Sequence, residues 1–119
     1  MPALPHDHHS GIPHDQILEA MPSAGEITAV AEALKQLGDP SRLRIFWLLC
    51  HTEECVADIA AYMEMSSPAV SHHLRLLKAA GLIVSRRDGK EMLYRATGSD
   101  LADELHRVIE RIAEVSCPS

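Results

Sequence analysis

From Glu26 onward apolar residues recur three and four positions apart, as Ile27, Val30, Ala31, Leu34 and Leu37. That period predicts an amphipathic helix, and Gly38 behind the last of them is a stop signal. Asp39-Pro40 opens a second helix, a capping residue followed by proline at the first helical position, carrying Leu43, Ile45, Phe46, Leu48 and Leu49 to about Cys50. A third, shorter helix over residues 55–63 sets Val56, Ile59, Ala60 and Met63 on one face. Ser66-Ser67-Pro68 caps a fourth, with Val70, Leu74 and Leu77 inward and Gly81 as its end. Leu82-Ile83-Val84 and Met92-Leu93-Tyr94 read as strands on either side of a turn containing Asp88-Gly89. Ser99 or Asp100 caps a last helix, to Glu114, whose stripe is Leu101, Leu105, Val108, Ile109 and Ile112. Residues 1–25, rich in proline, glycine and histidine, form a mobile arm with room for one helical turn at 15–21. The pattern predicts one mainly α domain with a β-hairpin over residues 26–115, and a short tail at 116–119.

Charge changes this picture more than composition does. The formal net charge of −6, taken as a total, is unfavourable for a polyanionic partner, yet Arg75, Lys78, Arg86, Arg87, Lys90 and Arg95 cluster against only Asp88 and Glu91. A phosphate backbone responds to the local potential, so the total does not exclude nucleic acid. Phe46, Trp47, Tyr62 and Tyr94 are the only aromatic residues other than histidine, which disfavours single-strand recognition by base stacking. No apolar run is long enough for a membrane span and no secretory pattern opens the chain, so a soluble cytoplasmic protein is expected. In that reducing compartment Cys50, Cys55 and Cys117 are thiols, available to metals or to redox chemistry. No nucleophile–base pair or glycine-rich phosphate loop suggests an enzyme.

Two short helices joined by a polar turn and followed by a basic hairpin describe a winged helix-turn-helix that reads double-stranded DNA. A helix fits the major groove, where short polar side chains near its N-terminus meet base edges. Ser66, Ser67, Ser71, His72 and His73 occupy those positions, with Arg75 and Lys78 reaching phosphate. Arg86, Arg87 and Lys90 at the hairpin would meet the adjacent backbone or minor groove. The stretch from Leu37 to Ile45 (LGDPSRLRI), the run from Ser66 to Gly81 (SSPAVSHHLRLLKAAG), and Arg86-Arg87-Asp88-Gly89-Lys90 ahead of Tyr94 resemble the signatures of the ArsR/SmtB family. The resemblance implies a homodimeric transcriptional repressor that binds operator DNA and is released by an inducer. The apolar stripes of the 26–37 and 100–114 segments are the expected dimer surface.

The resemblance also directs attention to metal ligands. Cys55 and Asp58 stand three apart at the head of the third helix and offer a thiolate and a carboxylate on one face. Family members with two cysteines at this place separate them by one residue; here that second position is Ala57. One cysteine with an aspartate three residues on is similar to zinc-responsive members, whose other ligands come from the N-terminal arm across the dimer. The arm supplies His6, His8, His9 and His14, and two of these imidazoles would complete a four-coordinate site for zinc, with cobalt, nickel or cadmium also suited. The family's other zinc site, on the last helix, would need ligands where this chain has Gly98, Asp100, Arg111 and Glu114. A displaced set there, Asp103, His106 and Glu110, shares a helix face and reads equally as a solvated one. Cys55 reads equally as a small half-buried apolar side chain. The remaining alternative on the same fold is a thiol-based redox, arsenite or soft-metal switch through Cys50, Cys55 and Cys117, with His51 beside them.

Overall fold

The computed structural model describes residues 11–114, so His6, His8, His9 and Cys117 lie outside the described residues. Element order is α1 (His14–Ala20), α2 (Ala24–Gln36), α3 (Pro40–His51), β1 (Glu54–Cys55), α4 (Val56–Met63), α5 (Ser67–Ala79), β2 (Ile83–Asp88), β3 (Glu91–Ala96) and α6 (Asp100–Ala113).

Helix starts follow from their caps. Ser23 accepts a hydrogen bond from the Glu26 backbone N–H at 3.2 Å while the Glu26 carboxylate accepts from the Ser23 N–H at 3.1 Å. This capping box makes Glu26 the third residue of α2 and moves its start ahead of the expected one. Asp39 caps α3, Ser66 caps α5, and Ser99 rather than Asp100 caps α6. A serine cap of this kind is worth about 1 kcal/mol against alanine. Helix ends are as local. Glu64 takes a left-handed φ of 55° behind α4, and the Met65 N–H returns to the Ala60 carbonyl at 3.0 Å. Gly81, at φ 75°, closes α5 with the same geometry from Leu82 to Leu77. That reversal turns the chain tightly between α4 and α5, and then into β2.

The sheet is antiparallel in the order β1-β3-β2. Asp88 pairs with Glu91, leaving Gly89-Lys90 as the two-residue turn, with Gly89 at φ 63° as its first position requires. β1 is a strand the hydrophobic pattern did not predict. Its two residues pair Glu54 with Tyr94 and Cys55 with Leu93, so Cys55 precedes α4 as its N-cap instead of opening it.

Phe46, Ile45, Ile59, Leu74, Leu77, Leu82 and Ile83 form the fully buried centre. α3 supplies its axis and packs against α4, α5, α6 and β3. α2 and α6 behave differently. α2 buries only Ala33 and Gln36 and leaves Ile27, Val30 and Leu34 exposed; α6 buries Ala102 and Leu105 and leaves Val108 and Ile112 exposed. α1 buries none of its residues. Among the described residues no helix is long and apolar enough to cross a membrane.

Candidate functional site

α5 presents Ser67, Ser71, His72, Arg75 and Lys78 on its exposed face, opposite the buried Val70, Leu74 and Leu77. Ser66 is exposed too, but its hydroxyl is engaged by the Ala69 N–H at 3.3 Å. Arg75 lies 3.0 Å from His72, and Lys78 donates to Ser85 at 2.7 Å, tying the helix to the base of the hairpin. His73, expected with His72 among the residues that meet DNA, is the half-buried one of the pair. Successive helix residues point about 100° apart, and His73 turns toward α3, where Arg42 Nε donates to its Nδ1 at 3.2 Å. Arg42 also donates to the Gln36 backbone and side-chain carbonyls at 3.2 and 2.5 Å, and buried Gln36 donates to Glu32 at 2.8 Å. One guanidinium thus joins α2, α3 and α5.

This network needs a neutral His73. Burial is the largest cause holding its pKa below the ordinary value; Arg42 and His72 add to it, and Asp39, 3.9 Å away, opposes. The unfolded chain therefore takes up this proton at higher pH than the folded one. The stability contribution is present above about pH 6.5 and is lost as pH falls through the folded value. The thermal midpoint should drop on acidification, and His73→Gln should weaken that dependence, because an amide oxygen accepts from Arg42 without titrating. His51, displaced in the same direction, leaves a residual slope. An identical pH profile in the variant would show that His73 is not the responsible group.

At the hairpin, Arg87 and Lys90 are exposed near the turn. Arg86, expected with them, instead donates twice to Glu53, at 2.9 and 2.6 Å. Those bonds, with the charges of Arg86 and Arg95 behind them, hold the Glu53 carboxyl below the usual carboxylate range. Arg86 therefore braces β2 against the segment that enters β1.

The metal candidates separate as clearly. Cys55 is buried at the head of α4 and Asp58 is exposed in its first turn. Of their expected partners only His14, the first residue of α1, is among the described residues. Of the Asp103, His106 and Glu110 set, the structure brings two together with a residue from another helix. His106 and Glu110 converge with His51, at the end of α3, and their ligand atoms lie within 4.8 Å of one another. His106 Nε2 is 3.0 Å from His51 Nε2 and 3.3 Å from the Glu110 carboxylate, which is 3.9 Å from His51. Asp103 lines the neighbouring cavity, about 290 Å³, together with Cys50, His51, Thr52 and His106.

Residues 39–85 match the family described as bacterial regulatory protein, arsR family. The transcriptional repressor SmtB homolog of Synechocystis sp. is 34% identical over 103 residues, 84% of this chain and 78% of that protein. The chain belongs to the ArsR family. A cadmium resistance transcriptional regulatory protein CadC homolog from Staphylococcus aureus is 42% identical over 66 residues, 55% of this chain and 54% of that one. Among solved structures, a homodimeric winged helix-turn-helix DNA-binding domain from Mycobacterium bovis, a possible ArsR-family transcriptional regulator, superposes with a TM-score of 0.69. It is 34% identical and covers 80% of this chain and 90% of its own.

On this ArsR-family scaffold α4 and α5 are the helix-turn-helix and β2–β3 the wing. Sequence reasoning placed His51 only beside the thiols, because Cys50 and Cys55 are its neighbours in the chain. His106 is 55 residues away, and no local period links them. The available signal was that α3 must cross α6 in this fold, which brings the end of one against the middle of the other.

Proposed function

We propose that this ArsR-family chain is a cytoplasmic, homodimeric transcriptional repressor that binds double-stranded operator DNA and is released by a transition metal. One observation carries the reading: a polar and basic face of α5 stands beside exposed wing cations, on a chain whose α2 and α6 turn apolar stripes outward. The first is what a major groove accepts, and the second is what a two-fold partner covers. The names of the SmtB-type and cadmium-resistance relatives support a metal as inducer. Zinc suits the donors best, with cobalt, nickel or cadmium as alternatives. Cys55 and Asp58 at the head of α4 are proposed as ligands, with two of His6, His8, His9 and His14 completing the set. A metal there would act on the helix that packs against α5.

Selection from a pool of random duplexes should return an imperfect palindrome, its half-sites related by the dimer axis. Zinc should then lower operator affinity about 5- to 150-fold, the range that a coupling of roughly 1–3 kcal/mol produces. In Cys55→Ser the ratio between metal-free and metal-loaded affinity should collapse toward one. Failure to enrich any duplex sequence would refute the repressor reading; an undiminished ratio in the variant would remove Cys55 from the inducer site.

A further inference from the structure

The cluster at the junction of α3 and α6 is the strongest unassigned chemistry among the described residues. His51 ends α3, and His106 and Glu110 stand one turn apart on α6. Their side chains are only 17%, 19% and 15% exposed. A tetrahedral ion with bonds of about 2.05 Å needs ligand atoms roughly 3.3 Å apart. His106 Nε2 stands 3.0 Å from His51 Nε2 and 3.3 Å from Glu110 Oε1, while Glu110 Oε2 stands 3.9 Å from His51 Nε2, and one ligand atom from each residue lies within 4.8 Å of the other two. Closing onto an ion therefore asks for shifts on the order of 1 Å at a ligand, within ordinary side-chain motion.

We propose that His51, His106 and Glu110 form a binding site for a divalent transition-metal ion within one protomer. Two imidazoles and one carboxylate are a borderline donor set, which selects zinc, cobalt or nickel over calcium or magnesium. The adjoining cavity, about 290 Å³ and reaching Cys50, Thr52 and Asp103, leaves space for a water as the fourth ligand. This site uses neither Cys55 nor the arm.

Its position matters as much as its ligands. Three residues beyond His51 the chain enters β1, which pairs with the wing strand β3, and Cys55 then caps α4. An ion here would pin α6, whose other face is the exposed apolar stripe, to the segment that feeds the helix-turn-helix. Binding of the ion stands independently of the repressor reading; only its consequence for operator affinity rests on that reading.

Trp47 is the sole tryptophan of the chain, and its ring lies 4.4 Å from that of His51. Cobalt(II) bound at the cluster should therefore quench its fluorescence. The test is a cobalt titration of the reduced, full-length protein, read by tryptophan emission and visible absorption. Quenching should accompany d–d bands; any thiolate-to-cobalt charge transfer belongs to the separate Cys55 site and should vanish in Cys55→Ser. Both should persist in Cys55→Ser and in a full-length variant carrying glutamine at positions 6, 8 and 9. In His106→Gln and in Glu110→Gln the affinity read by quenching should fall about 10-fold or more, with far-ultraviolet circular dichroism reporting an intact fold. Unchanged quenching affinity in both of these variants would overturn the site. So would quenching that disappears in Cys55→Ser, which would place the ion at the head of α4. A wild-type protein that binds cobalt as described but enriches no duplex would leave the site standing and remove only the repressor reading.

Discussion

Ile112→Asp should convert the protein to a monomer and lower its operator affinity by about 10²- to 10⁴-fold. That range is the gain when two linked half-site contacts act as one, and it is lost when the link breaks. Ile112 is the cleanest position because it is 80% exposed in the protomer. A carboxylate there leaves the protomer's own core undisturbed. Its neighbours form the surface that a second copy would cover. Leu34, Leu37, Leu105, Val108 and Ile109 line an apolar groove with it between α2 and α6. Ile27 and Val30 extend that surface along α2, exposed at 48% and 43%. A contiguous apolar face of this kind is uncommon on a soluble monomer, and each large side chain covered contributes roughly 1.5–3 kcal/mol. A charge in the middle loses its own contact and leaves a desolvated carboxylate without a cation. Sedimentation mass and operator binding would be measured on the same preparation. A dimeric mass that survives the substitution at micromolar concentration would show that α2 and α6 are not the interface.

Arg75→Ala, Arg87→Ala and Lys90→Ala combined should weaken binding to every duplex and flatten its salt dependence. Each phosphate contact contributes about 0.9 to the slope of log affinity against log salt, and a homodimer loses every contact twice. Removal of three cations therefore flattens the slope by about 5 if all three touch phosphate. Arg86→Ala should move the slope less, because that guanidinium is committed to Glu53 at 2.6 and 2.9 Å. Substitutions at Ser71 or His72 should act differently, changing which base pairs are preferred by about 1–3 kcal/mol each. His73 should not change base preference, since its ring is held by Arg42. Salt titrations of operator binding separate the phosphate-contacting cations from Arg86, and competition between duplexes of altered sequence separates Ser71 and His72 from His73. An unaltered slope in the triple variant would remove the α5–wing surface from the DNA interface.

Most of the fold was determined locally and could be read along the chain. Asp39-Pro40, Ser66 with Pro68, and Ser99 start helices through bonds that span three residues, and Ser23 with Glu26 does the same ahead of where the apolar period begins. Gly81 and Gly89 bend the chain where only a left-handed residue serves. The 3.6-residue period named Val70, Leu74 and Leu77 as inward before any tertiary contact was known. Such signals are legible because cause and effect lie within one turn of helix or one hairpin.

Tertiary structure decided whatever depends on residues far apart in the chain. The stripe Ile27, Val30 and Leu34 has the same period as a core stripe; the period alone does not separate the two, and packing leaves these three side chains exposed in the protomer, where the family resemblance expected a dimer surface. β1 is two residues long, too short for any alternation, and exists because β3 offers it a free edge. His73 and Arg86 look like their solvent-facing neighbours in sequence, yet Arg42 and Glu53, 31 and 33 residues away, hold them. The sequence by itself determined the elements, their caps and the cationic segment that makes this an ArsR-family protein. Which charges remain free for a partner, and that His51 meets His106 and Glu110, was set by the crossing of α3 and α6, because side chains 55 residues apart are brought together only by packing.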